Sequence, residues 1–209
     1  MQAEKAMQVR TPIDFYFDFS SPYGFLAAQK IDALGALHGR EVEWHPILLG
    51  VVFKETGSMP LTEIPLKGAY SKRDFARSAR FHGLPPITMP SRFPIPTQVP
   101  ARLVLWLKQT APERVTSACL ALFRAYFERN LDISEADNAI AVVAQIGVDD
   151  KAARAASVDP AIKEALKQSM AHALERGVFG SPFFIVDDEP FWGLDRLDQL
   201  DRWLATGGF

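Results

Sequence analysis

Apolar and polar residues alternate through Ile13-Asp14-Phe15-Tyr16-Phe17-Asp18-Phe19, the period of two expected of a strand. The alternation then breaks, and Ser21-Pro22 reads as a helix start. The serine oxygen can accept a backbone N–H of the first turn, and proline at the first helical position gives up a donor that had no partner. Ala27, Ile31 and Leu34 form one apolar stripe, so a single helix is expected, with Gly39 as its stop. Glu41-Val42-Glu43-Trp44-His45 alternates again as far as Pro46 and predicts a second strand, reached through a helical crossover. Ile47 to Phe53 stays apolar, and Lys54-Glu55-Thr56-Gly57-Ser58-Met59-Pro60 has the composition of a loop.

From Ser71 to about Gly177 the pattern predicts helices and no strand. Ser71 with Asp74 resembles a capping box and opens a helix ending near Gly83. Pro85, Pro86, Pro90, Pro94, Pro96 and Pro100 make the next segment an extended, stiff loop. Val115, Ala118, Cys119, Leu122, Phe123, Tyr126 and Phe127 recur with helical spacing. Ser134 with Asp137 starts another helix that Gly147 ends, and an alanine-rich turn is expected at Lys151 to Ala156. Asp159-Pro160 opens one more helix, with Ile162, Leu166, Met170 and Leu174 on one face and Gly177 as its cap. Ser181 to Val186 then returns to strand pattern, Asp187-Asp188-Glu189 reads as a turn, and Pro190-Phe191-Trp192 as a short partner strand. A final helix follows Gly193, carrying Leu197, Leu200, Trp203 and Leu204.

A chain of 209 residues, 48% of them hydrophobic, has the means to fill one large core, which excludes disorder. A net charge of -2 leaves no electrostatic footprint for nucleic acid or an anionic membrane, so a small-molecule substrate is expected. Residues 1–10 carry charges at Glu4, Lys5 and Arg10 and no apolar run of signal-peptide length. No stretch elsewhere approaches about 18 uninterrupted apolar residues. A cytoplasmic, reducing location is therefore expected, with no membrane partner.

Candidate chemistry gathers at the junction of the first strand and helix. A serine there aims a hydroxyl and free backbone N–H groups at one point, which would stabilise an anion such as a thiolate. A plain helix cap is the alternative reading of Ser21. Cys119 is the one cysteine, which rules out an internal disulfide and a dithiol oxidoreductase, and its apolar helical stripe marks it as a core residue. His38, His45, His82 and His172 show no metal-ligand spacing, so no metal site is expected. No Gly-x-Ser-x-Gly elbow surrounds Ser21, which excludes a serine esterase.

The stretch Asp14 to Tyr23, Phe93-Pro94, Val178-Phe179-Gly180-Ser181-Pro182 and Trp192-Gly193-Leu194-Asp195-Arg196-Leu197, in that order, resemble the 2-hydroxychromene-2-carboxylate isomerases and their kappa-class glutathione transferase relatives. The resemblance runs from about Ile13 to Leu204 and implies an α/β, DsbA-like thioredoxin fold with a large all-helical insertion between the second and third strands. Residues 11–55 and 177–209 would form a discontinuous thioredoxin-like domain, and residues 56–176 the insertion. It implies glutathione as cofactor, an aromatic carboxylate as substrate, and a homodimer. The activity implied is glutathione-dependent cis-trans isomerisation of 2-hydroxychromene-2-carboxylate, or a close relative, to trans-o-hydroxybenzylidenepyruvate in aromatic-compound degradation. A kappa-class-like transferase and a non-catalytic thioredoxin-fold binding module are the alternatives.

By the same resemblance, Ser21 would contact the glutathione sulfur and favour its thiolate. Ser181, before a cis proline at Pro182, would pair its backbone with the glutathione cysteine, and Trp192, Gly193, Leu194 and Asp195 would hold the glutamyl end. Lys54 would face the glycyl or the substrate carboxylate, with a solvated loop charge as its alternative, and Asp195 has a helix cap as its own. The sequence departs from the resembled pattern at Gly24, where a serine is more common, and at Ser181, where valine or a similar apolar residue is usual.

Overall fold

Ile13–Phe17 (β1) is an inner strand of a four-stranded sheet. It runs parallel to Val42–Pro46 (β2) and antiparallel to Phe183–Val186 (β3), which pairs antiparallel with Glu189–Trp192 (β4). The order across the sheet is β2-β1-β3-β4. The structure, a computed structural model, describes residues 11–209. The expectation for residues 1–10 lies outside the described residues. Asp187 and Asp188, with φ of 51° and 65°, occupy the two left-handed positions of the tight turn between β3 and β4.

Pro22–Ala28 (α1) and Ile31–Leu37 (α2) lie between β1 and β2. A single helix was expected here. Instead the chain breaks at Gln29 and Lys30, whose φ and ψ of -80°, -6° and -122°, -27° drift out of the helical range, and no Gly or Pro marks the spot. The expected loop at Lys54 is also helical: Leu49–Thr56 (α3) continues the apolar run for a further turn and stops at Gly57, left-handed at φ 68°.

Between α3 and β3 stand six α-helices, Lys67–Phe81 (α4), Gln98–Thr110 (α5), Val115–Phe127 (α6), Ala136–Ala144 (α7), Asp150–Val158 (α8) and Pro160–Glu175 (α9). Leu197–Thr206 (α10) closes the chain. Ser71 does not cap α4 but sits inside it, its hydroxyl donating back to the Gly68 carbonyl at 2.9 Å. The alanine-rich stretch is a full helix, α8, capped by the Asp149 side chain on the Ala152 N–H. The proline-rich segment ends sooner than Pro100, because a proline in the first turn removes a donor that has no helical acceptor, and α5 starts at Gln98. No helix among the described residues is long and apolar enough to cross a membrane.

Both faces of the sheet are covered, as the parallel β1–β2 crossover requires. On one face Phe15 stacks on Phe184 at 5.3 Å and meets the edge of Trp44 at 4.9 Å. Phe123 of α6 reaches into this layer, 5.5 Å from Phe17 and 4.8 Å from Phe19, while Phe127 stacks on Phe25 of α1 at 5.2 Å. On the other face Tyr16, Phe183 and Ile185 pack with Val52, Ala101, Leu166 and Met170. The fold is a DsbA-like thioredoxin fold whose helical insertion between β2 and β3 shares one core with the sheet.

Candidate active site

The chain leaves β1 at Phe17 and turns within four residues into α1. That turn is tied by the Ser21 N–H to the Asp18 carbonyl at 2.9 Å. Ser21 is the N-cap of α1, its oxygen accepting the Gly24 N–H at 3.0 Å. The same hydroxyl donates to the Ser181 carbonyl at 3.0 Å, across 160 positions of sequence. Ser21 is thus a cap and a donor at once, the two roles using different parts of one hydroxyl.

The Ser181-Pro182 peptide bond is cis, as expected. Ser181 lies just beyond the ladder of β3, and its side chain accepts the Asp18 N–H at 3.0 Å. The Pro182 carbonyl accepts the Gly193 N–H at 3.0 Å, which brings the segment after β4 beside the same turn. Phe93-Pro94 is a second cis bond, and the Ile95 N–H that follows donates to Ser20 Oγ at 3.2 Å. The proline-rich segment is in this way laid against the end of β1.

Beneath these contacts lies Asp18, only 3% exposed. Its Oδ1 accepts the Ser20 N–H at 2.7 Å and its Oδ2 the Leu49 N–H at 2.6 Å, while the Thr97 hydroxyl reaches both oxygens at 3.1 and 3.2 Å. One carboxylate so ties the turn before α1 to the starts of α3 and α5. Burial pushes its pKa up from 3.8 to about 6 against these hydrogen bonds, which favour the charged form.

Above the serines opens a cavity of about 1670 Å³. Ser21, Ser181, Pro182, Trp192, Gly193, Leu194 and Asp195 all line it, so seven of the eight expected site residues come together. Lys54 does not: it is exposed on the last turn of α3, where its charge suits the negative end of the helix dipole. The lysine and arginine among the lining residues are Lys67 and Arg196. Gly193 has φ 112°, a conformation closed to other residues, and a Cβ there would stand 2.5 Å from Asp195 Oδ1, so the carboxylate folds over the glycine. Asp195 caps no helix, since the N-cap positions are Gly193 and Arg196, and its carboxylate pairs with Arg196 at 3.3 Å.

Trp192 and Phe179, 55% and 45% exposed, meet edge-on at 4.9 Å and form an aromatic wall. Helix α4 also lines the cavity and is held to α1 by the Tyr23 hydroxyl donating to Asp74 at 2.5 Å. The Arg77 guanidinium pairs with Asp74, and this bond together with the tyrosine's holds the carboxyl below its ordinary range. Burial and the neighbouring Lys30 push the His82 imidazole, also on the lining, below its ordinary value.

Cys119 is fully buried and its thiol is raised far above its ordinary pKa by that burial, which removes it as a nucleophile. Among the described residues no group of three His, Cys, Asp or Glu side chains is placed to hold a metal ion. Sequence reasoning missed Asp18, Thr97 and the Tyr23–Asp74 tie. The available signal was Asp18 itself, a charge between two phenylalanines in an otherwise buried run.

Residues 12–205 match the DSBA-like thioredoxin domain family. The chain is 30% identical over 194 residues to a 2-hydroxychromene-2-carboxylate isomerase of Sphingobium xenophagum, which covers 92% of this chain and 97% of that protein. It is 25% identical over 210 residues to glutathione S-transferase kappa 1 of Homo sapiens, with 92% of each covered. A solved structure of 2-hydroxychromene-2-carboxylate isomerase superposes with a TM-score of 0.83 at 26% identity, covering 92% of this chain and 94% of the other. A serine in place of a redox cysteine, the cis proline facing it and these likenesses lead to one assignment: the chain belongs to the DsbA-like thioredoxin family, in the group of the 2-hydroxychromene-2-carboxylate isomerases and kappa-class glutathione transferases.

Proposed function

We propose that the protein is a glutathione-dependent isomerase of small aromatic carboxylates, acting on 2-hydroxychromene-2-carboxylate or a close relative. The observation that carries this reading is the pairing of the Ser21 hydroxyl with the Ser181 carbonyl at 3.0 Å beside a cis proline, on the wall of a large cavity. Ser181 stands past the last rung of the β1–β3 ladder, so its backbone is open to an extended peptide. A thiol-bearing tripeptide fits there with its sulfur at Ser21. Its glutamyl ammonium then falls to Asp195, and its carboxylates to Arg196 and Lys67.

Bound glutathione supplies a nucleophilic thiol that adds reversibly to a conjugated carbon, so that the former double bond can rotate before the thiol leaves. The work of the chain is to keep that sulfur ionised, to orient it and to hold the ring. When the sulfur is bound, the Ser21 hydroxyl turns its one proton from the Ser181 carbonyl to the sulfur and thereby favours the anion. The Phe179 and Trp192 rings, with the apolar surface of α3, give an aromatic substrate a stacking face, and Tyr23 with Asp74 keeps α4 closed against it.

The test is an assay of the purified protein with a hydroxychromene carboxylate, with and without glutathione. Isomerisation that requires glutathione is the expected result. Conjugation of a chloro-dinitro aromatic without isomerisation would instead make the protein a transferase. Absence of any heat or thermal shift with millimolar glutathione would make it a binding module without this cofactor.

A further inference from the structure

The two positions at which the sequence departs from the resembled pattern, Gly24 and Ser181, touch each other. A Cβ built on Gly24 would stand 2.8 Å from Ser181 Oγ, 3.1 Å from Ser21 Cβ and 3.2 Å from Ser21 Oγ. The missing side chain at Gly24 is therefore the space that the Ser181 hydroxyl occupies. Two hydroxyls flank one point at the head of α1, and the two Cβ distances bound their separation at about 6 Å. A single sulfur atom accepting from both fits within that span, because hydrogen bonds to sulfur run longer than those to oxygen.

The hydrogen of the Ser181 hydroxyl is unused, whereas that of Ser21 goes to the Ser181 carbonyl. A hydroxyl has one donor and two acceptor sites. Ser181 Oγ accepts the Asp18 N–H at 3.0 Å, and among the described residues no acceptor takes its proton. The bond from Asp18 engages the oxygen as an acceptor and leaves the O–H free to turn toward the cavity that Ser181 lines.

We propose that Ser181 is a second hydroxyl donor to the reacting thiolate, made possible in this chain by Gly24. The inference rests on the glutathione reading above and assigns the Ser181 side chain a task distinct from that of its backbone. The Ser21 and Ser181 hydroxyls share the sulfur, each favouring the anion through a charge-assisted hydrogen bond. Gly24 is a specificity-determining position, because any side chain there displaces one of the two donors.

The thiolate absorbance of glutathione bound to the purified protein, followed against pH, tests this without reference to turnover. Calorimetric titration with glutathione accompanies each variant. Ser181→Ala should raise the pKa of the bound thiol by about one, as should Ser21→Ala, and the double variant should bring it close to the free value near about 8.5. Gly24→Ala, which keeps both serines, should shift the titration in the same direction as Ser181→Ala and add nothing in its presence. A titration of Ser181→Ala superposable on that of the wild type, with glutathione still bound, overturns the inference and leaves the proposed function standing. Failure of the wild type to bind glutathione overturns both. A Gly24→Ala variant that binds glutathione and titrates as the wild type also overturns it, which guards against a Ser181→Ala protein that does not fold.

Discussion

Replacing Asp18 by Asn removes a buried charge and leaves one acceptor oxygen where the carboxylate has two. Oδ1 now serves the Ser20 N–H and Oδ2 the Leu49 N–H, so Asn must turn its own amide N–H toward one of them. One buried donor loses its partner, which costs about 1–3 kcal/mol. The charge has its own cost in the opposite sense. With a pKa raised from 3.8 to about 6 in the folded protein, keeping Asp18 ionised at neutral pH costs roughly 3 kcal/mol at about 1.36 kcal/mol per pKa unit. The folded state holds this proton more tightly than the unfolded chain does. Stability from Asp18 is therefore greatest below 3.8, declines as pH rises toward about 6, and is level above that. Asp14, Asp74 and Asp132 have lowered pKa values and move stability the other way, so the quantity to read is the difference between wild type and Asp18→Asn. Urea unfolding of both proteins should show the wild-type advantage shrinking by about 3 kcal/mol between about pH 3 and about pH 7. A difference that does not vary with pH would refute the account of Asp18 as a charge held in the fold against the cost of burial.

Ser21→Ala should keep glutathione affinity within a few fold, lower turnover sharply at pH 7, and regain part of it at alkaline pH, where the thiol ionises unaided. An equal loss at every pH would count against the thiolate role. Asp195→Ala should weaken glutathione binding in calorimetry while leaving the unfolding midpoint unchanged, since the side chain is exposed and caps no helix. Phe123→Ala should destabilise by about 3–5 kcal/mol in chemical denaturation, because its ring joins α6 to Phe17, Phe19 and Phe25. Tyr23→Phe should cost about 1–2 kcal/mol and raise the Asp74 pKa, followed by carboxyl NMR, because the phenol is one of the donors that hold that carboxyl ionised.

Strand and helix order was legible because caps and glycine stops are local signals. Asp159-Pro160 and the turn at Asp187-Asp188 are where the residues indicated, and the bond at Pro182 is cis as the family resemblance implied. Alternation misled where both faces of a strand are covered. Tyr16 and Asp18 fall on the polar phase of the first strand, yet both are buried, because α3, α5 and α9 pack on the face that alternation assigns to solvent. Helix α5 was hidden by Pro100, which reads as a breaker although it occupies a first-turn position where proline is tolerated. In the site, Ser21 and the segment from Trp192 to Asp195 carry recognisable residue types. The partners of Asp18 do not: Thr97 and Leu49 contribute through a place in space that neither neighbouring residue announces.

The antiparallel register that sets Asp14 opposite Ile185 has a bearing on how the protein is made. β1 emerges among the first residues of the chain, and its inner neighbour β3 among the last, so during synthesis one edge of β1 waits open while the intervening helices appear. Contacts of this sequence separation form slowly, since a long loop must close before they contribute. The meeting of Ser21 with Ser181 is accordingly a late event, and a chain cut short before residue 181 carries one half of the pair without the other.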